Sequence, residues 1–196
     1  MPTLYLSTEP EADALLAEDP LALLVGMLLD QQVPMEWAFV APYRLAQRLG
    51  TARLDAAQIA DYDPEALATI FTKPPALHRF PGSMAGRTQN LCRTIAQEYD
   101  GDAAALWRSA TSGAELLKRL TGLPGFGKQK AQIFIALLGK QLGVRPPGWE
   151  QVAGDYAKPG GYRSVADIVD EDSLSRVRAY KKEQKAAAKA AKAAKR

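Results

Sequence analysis

From residue 19 onward, apolar residues recur along the chain at the spacing of an α-helix, and nowhere do they alternate convincingly as in a strand. Asp19-Pro20 reads as an N-cap followed by proline at the first helical position, with Leu21, Leu23, Leu24, Met27 and Leu28 forming an apolar stripe through Leu29. Pro34 opens a second helix carrying Trp37, Phe39, Val40, Leu45 and Leu49, which Pro42 is expected to kink. Asp63-Pro64 repeats the cap signal before Leu67, Ile70 and Phe71. The stretch from Lys73 to Gly82 is too rich in proline to be helical, and Ser83 is read as the cap of a helix bearing Leu91, Ile95 and Tyr99, closed by Asp100-Gly101. Short helices near 103–107 and 114–120 precede a glycine turn. Residues 128–142 are apolar nearly all round, as in a buried central helix. Residues 144–163, rich in proline and glycine, predict a long irregular loop, and a last helical stretch from about Ser164 to Tyr180, broken near Asp170, leads into a tail. The fold class expected is all-α.

Composition narrows this picture. A chain of 196 residues with 47% hydrophobic and 24% charged residues is that of an ordinary soluble globular protein with a full core. No apolar run spans a bilayer and the first residues lack a basic segment followed by an apolar one, so the expected location is the cytoplasm, with no membrane partner. Cys92 is the only cysteine and His78 the only histidine. That excludes a disulfide, a cysteine-held zinc ion and an iron–sulfur cluster within one chain, and any chemistry built on paired histidines. Cys92 itself reads as a small core residue. The net charge of +3 is unevenly divided: residues 181–196 hold seven Lys/Arg against one Glu, which leaves the rest of the chain slightly acidic. Two parts are therefore expected, a body over 1–180 and a basic Lys/Ala-rich tail over 181–196.

The chemistry is concentrated at Leu123-Pro-Gly-Phe-Gly-Lys-Gln-Lys-Ala131. Two glycines one residue apart let the backbone turn tightly and present its amides, and the following helix begins with free N–H donors at the positive end of its dipole. Gly125 and Gly127, with Lys128 and Lys130 beside them, thus make an anion site suited to a nucleic-acid phosphate and blind to base sequence. The plainer alternative is a tight helix–helix connection without a ligand.

A helix, Leu-Pro-Gly-x-Gly and a buried helix resemble the helix-hairpin-helix motif. Leu23-Leu-Val-Gly-Met-Leu-Leu-Asp-Gln-Gln32 and Phe80-Pro-Gly-Ser-Met-Ala-Gly-Arg87 extend the resemblance to the endonuclease III-like helix-hairpin-helix DNA glycosylases of base-excision repair. The hairpin lies at 114–142, and the three blocks keep the family's order over roughly residues 20–143. The resemblance implies a compact, monomeric, nucleoid-associated protein that binds double-stranded DNA largely independently of sequence. It implies a phosphate on the amides around Gly125 and Gly127, supported by Lys128 and Lys130, and a sodium or potassium ion on hairpin carbonyls, with no other cofactor. It also places Gln32 in the gap left by a flipped nucleotide, and Gln31 against that base or its partner.

The chain departs from the family twice. Bifunctional members carry a nucleophilic lysine where this chain has Gln129, and an amide cannot form a Schiff base, so lyase chemistry through that position is excluded. The family's aspartate would fall at Pro147; the nearest carboxylates are Glu150 and then Asp155, the two catalytic candidates. Trp149 beside them reads as a base-stacking or a packing residue. Asp30 reads as a residue of the loop after a helix rather than of a pocket, and His78 and Arg79 as loop residues within reach of the DNA backbone. In the tail, Lys185, Lys189 and Lys192 fall near one helical face and add salt-sensitive DNA affinity, but without an apolar stripe the tail is expected to be mobile. The reading is a monofunctional glycosylase that removes a damaged or mispaired base. The alternatives are a non-catalytic binder of DNA structures or lesions on the same scaffold, and a helical protein–protein adaptor.

Overall fold

The computed structural model describes residues 3–194, in which eleven α-helices and two 3-10 turns occur and no strand. The helices are α1 (Pro10–Glu18), α2 (Pro20–Leu29), α3 (Met35–Leu49), α4 (Ala56–Ala60), α5 (Pro64–Thr72), α6 (Pro81–Glu98), α7 (Ala105–Arg108), α8 (Gly113–Thr121), α9 (Lys128–Gln141), α10 (Trp149–Ala153) and α11 (Glu171–Ala194). The 3-10 turns lie at Gly154–Ala157 and Val165–Asp167. No described helix is long and apolar enough to cross a membrane.

Two groups of helices share one continuous core. Helices α1 to α6 gather around α2, α3 and α6; helices α7 to α11 gather around α9. The two anchors are α2, which carries no polar side chain, and α9, which is buried along its middle. From Leu21 to Leu29 every residue of α2 is buried, and α9 buries Ala131 and the run from Phe134 to Gly139.

Local chemistry sets the helix starts. Asp19 accepts hydrogen bonds from the amides of Leu21 and Ala22 and, through its other oxygen, from Leu54, so one cap fixes α2 and ties down the approach to α4. Asp63 caps α5 and Ser112 caps α8 in the same way. Helix α6 starts two residues before the expected Ser83 cap, because Pro81 at its first position sets the backbone without a side-chain cap.

The expected irregular loop is in part ordered helix. Trp149 opens α10 and lays its indole on α9 where Gly139 leaves room; a methyl group at Gly139 would sit 2.4 Å from Trp149 Cζ3. Gly113 gives the same close approach to the backbone at Gly148 and Trp149. Trp149 is therefore a packing anchor. The tail also differs from expectation: α11 runs unbroken across the boundary at 180–181 to Ala194. Leu174 and Val177 dock its first turns, and the alanines and lysines beyond extend that nucleus with exposed side chains. Residues 195–196 lie outside the described residues.

Candidate nucleic-acid interface and cleft

The turn between α8 and α9 seats directly on the end of α2. Gly125 adopts φ +82°, the left-handed region, and a methyl group there would lie 2.4 Å from Leu28 Cδ1. Gly127 is the N-cap of α9 and places no side chain over it. The amides of the first turn of α9 are thus left open, with Gly125, Gly127, Lys128 and Gln129 all exposed beside them. Within the turn the Leu123 carbonyl accepts the Phe126 amide at 3.1 Å.

Lys130 does not share the outer face with Lys128. Its ammonium turns inward and donates to the carbonyls of Met27 and Leu28, at 2.8 and 2.9 Å, at the C-terminal end of α2. Burial lowers its pKa to about 8, against the pull of Asp30 in the other direction. At the position where bifunctional relatives carry lysine, the Gln129 amide donates to the Tyr156 hydroxyl at 2.8 Å.

The segment after α2 forms the opposite lip. Gln32 sits at φ +58°, unusual for a residue with a side chain, and is exposed. Its neighbour Gln31 is held in place: Nε2 donates to Leu28 O at 2.8 Å and Oε1 accepts from Arg87 at 3.2 Å. His78, buried, braces the same turn. Its Nδ1 accepts from the Phe80 amide, so the ring proton is on Nε2, which donates to Gln31 O; both distances are 3.0 Å. Burial lowers the His78 pKa, in keeping with this neutral form. Beside it Phe80 is exposed, with the Arg79 guanidinium 5.4 Å from its ring. Nothing in the sequence beyond a proline-rich loop signalled this brace.

Between the two lips lies a cleft of about 1020 Å³. The end of α2 supplies Met27 and Asp30; the turn and the start of α3 supply Gln31, Gln32 and Glu36. Gln129, Lys130 and Ile133 of α9 face them, and Leu174, Val177, Arg178, Lys181, Lys182 and Lys185 of α11 close the side. Glu36 is paired with Arg178. Asp30, half-buried, has no hydrogen-bond or ion-pair partner for its carboxylate among the described residues. Burial raises its pKa, and the charges of Lys181 and Lys130 oppose the rise.

The catalytic candidates of the sequence lie elsewhere. Glu150 is exposed on the first turn of α10, and Asp155 is paired with Lys158 at 2.5 Å and Arg163 at 3.5 Å, which lowers its pKa. Neither lines the cleft. The fold directs α10 and the following 3-10 turn onto α9 instead of across the cleft mouth, so both carboxylates are carried away from it. Lys185 borders the cleft, while Lys189 and Lys192 lie farther along α11, fully exposed.

Comparison with known proteins adds one finding. A family model described as HhH-GPD superfamily base excision DNA repair protein matches residues 25–196. No curated protein and no solved structure matches the chain.

Proposed function

Since the chain belongs to the HhH-GPD superfamily of base excision DNA repair proteins, we propose that it is a monofunctional DNA glycosylase that hydrolyses the bond between deoxyribose and a damaged or mispaired base. The observation that carries this reading is the cleft itself. It lies beside the open first turn of α9 and is lined by a left-handed exposed glutamine and a half-buried carboxylate.

In this reading the amides around Gly125 and Gly127 hold a phosphate of double-stranded DNA, with Lys128 adding charge and a sodium or potassium ion on the hairpin carbonyls sharing the load. Gln32 enters the stack in place of the nucleotide that swings into the cleft. Gln31, His78 and Arg87 keep the Gln32 turn in shape. Lys130 supports the interface indirectly, by fastening α9 to α2. The lysines of α11 follow the DNA backbone beside the cleft. Gln129 cannot act as an amine nucleophile, so the base is displaced by water.

The second reading, a non-catalytic lesion binder, is favoured by one observation: the carboxylates nearest the family's acid position, Glu150 and Asp155, stand outside the cleft. A base-release assay on duplexes carrying alkylated, deaminated and oxidised bases separates the two. The glycosylase reading expects free base from at least one duplex, with strand scission only after alkali. Tight binding without release from any of them would favour the binder.

A further inference from the structure

We propose that Asp30 is the catalytic carboxylate of this cleft, doing from the end of α2 the work for which the chain has no acid after α9. The assignment rests on the glycosylase reading. Four observations converge on it. Asp30 is the C-cap of α2, at the joint where Lys130 of α9 holds the last carbonyls of that helix, so its carboxyl stands where α2 and α9 border the cleft. It is half-buried in the cleft, and its carboxylate has no hydrogen-bond or ion-pair partner among the described residues. The cleft's other carboxylate, Glu36, is already paired with Arg178. Lysines from two other elements, Lys130 of α9 and Lys181 of α11, act on Asp30 through space without closing on it. A half-buried carboxylate without a partner costs stability, and such costs concentrate at functional sites.

The chemistry follows from the position. The bond between C1′ and the base nitrogen breaks with its electron pair leaving on the base. The positive charge then shared by C1′ and O4′ faces the half-buried Asp30 carboxylate, which stabilises it. Water adds to C1′ and passes its proton to that carboxylate. The departing base takes a proton from solvent, and Asp30 returns its own to solvent, so the cycle balances. Burial makes Asp30 more basic than a solvated carboxylate, which suits the proton transfer.

The test compares two duplexes that differ by one charge: a pyrrolidine abasic analogue, protonated on its ring nitrogen, and its neutral tetrahydrofuran counterpart. Wild type is expected to bind the pyrrolidine duplex at least about tenfold more tightly, as an enzyme complementary to a cationic transition state does. Asp30→Asn and Asp30→Ala should bring the ratio to one while keeping tetrahydrofuran affinity, and Glu150→Gln and Asp155→Asn should keep the wild-type ratio. A wild-type ratio of one, or a preference that survives in the Asp30 variants or falls with Glu150 or Asp155, would overturn the assignment and leave DNA binding standing. Failure of wild type to bind either duplex would overturn the glycosylase reading itself.

Discussion

Asp30 is half-buried and unpartnered, and burial makes its ionised form costly to the fold. Its pKa is raised above the ordinary 3.8. Below that value both folded and unfolded states hold the proton and there is no penalty. As pH rises, the unfolded chain ionises first, and stability falls until the folded carboxyl ionises too. Replacing Asp30 with Asn should therefore raise the melting temperature at pH 7, with a gain that shrinks towards pH 4. Thermal melts across that range check it; a lower melting temperature at pH 7 would mean that Asp30 supports the fold. Gln32 is the second residue held at a cost, through its left-handed backbone. Both lie in the one segment, Leu28 to Gln32, that meets the hairpin.

At the scale of elements, the hairpin and α2 form a single joint. Gly125 touches Leu28 and Lys130 holds the carbonyls of Met27 and Leu28, so the glycine turn and the Gln32 turn keep a fixed separation. Gly125→Ala meets both a positive φ and a 2.4 Å approach to a leucine methyl. The variant should lose about 1–3 kcal/mol of stability in denaturant unfolding and bind duplex DNA more weakly; unchanged stability would show that the turn is not seated as described. Much of this was legible in the sequence, because caps and glycines act locally. Asp19-Pro20, Asp63-Pro64 and the Gly125–Gly127 turn each mark a helix start by their own chemistry. Helices α1, α4 and α10 escaped notice, being short and held by contacts with distant partners. Trp149 against Gly139 makes α10, and no local pattern announces it. The brace of His78 on Gln31, across 47 residues, is likewise invisible to periodicity.

For the whole molecule, charge and shape are separated along the chain. The slightly acidic body builds most of the cleft, and α11 carries a net positive charge roughly 20 Å past Tyr180, at 1.5 Å per residue. The Gly125–Gly127 turn and the glutamine turn are marked by their own residues, whereas Glu150 and Asp155 became candidates only by a count along the chain after α9. The cleft is assembled from α2, α9 and α11, and a count along one segment cannot find a group supplied by another. Deleting the residues after Lys185 removes Lys189, Lys192, Lys195 and Arg196 yet leaves the cleft-lining lysines in place. Affinity for duplex DNA should fall, and the dependence of log K on log salt should flatten by about 0.9 for each lost phosphate contact. An unchanged slope would show that the end of α11 stays clear of DNA.

The account turns on a nucleotide leaving the stack beside Gln32 and entering this cleft. Its most direct test is the affinity of the full chain for a duplex with one tetrahydrofuran abasic site against the fully paired duplex, in wild type and Gln32→Ala. Wild type should prefer the abasic duplex, where no base pair must be broken and Gln32 can fill the gap. Gln32→Ala should lose that preference while keeping its affinity and salt dependence for the paired duplex. Equal wild-type affinity for the two duplexes, or a preference that survives the loss of Gln32, would contradict it.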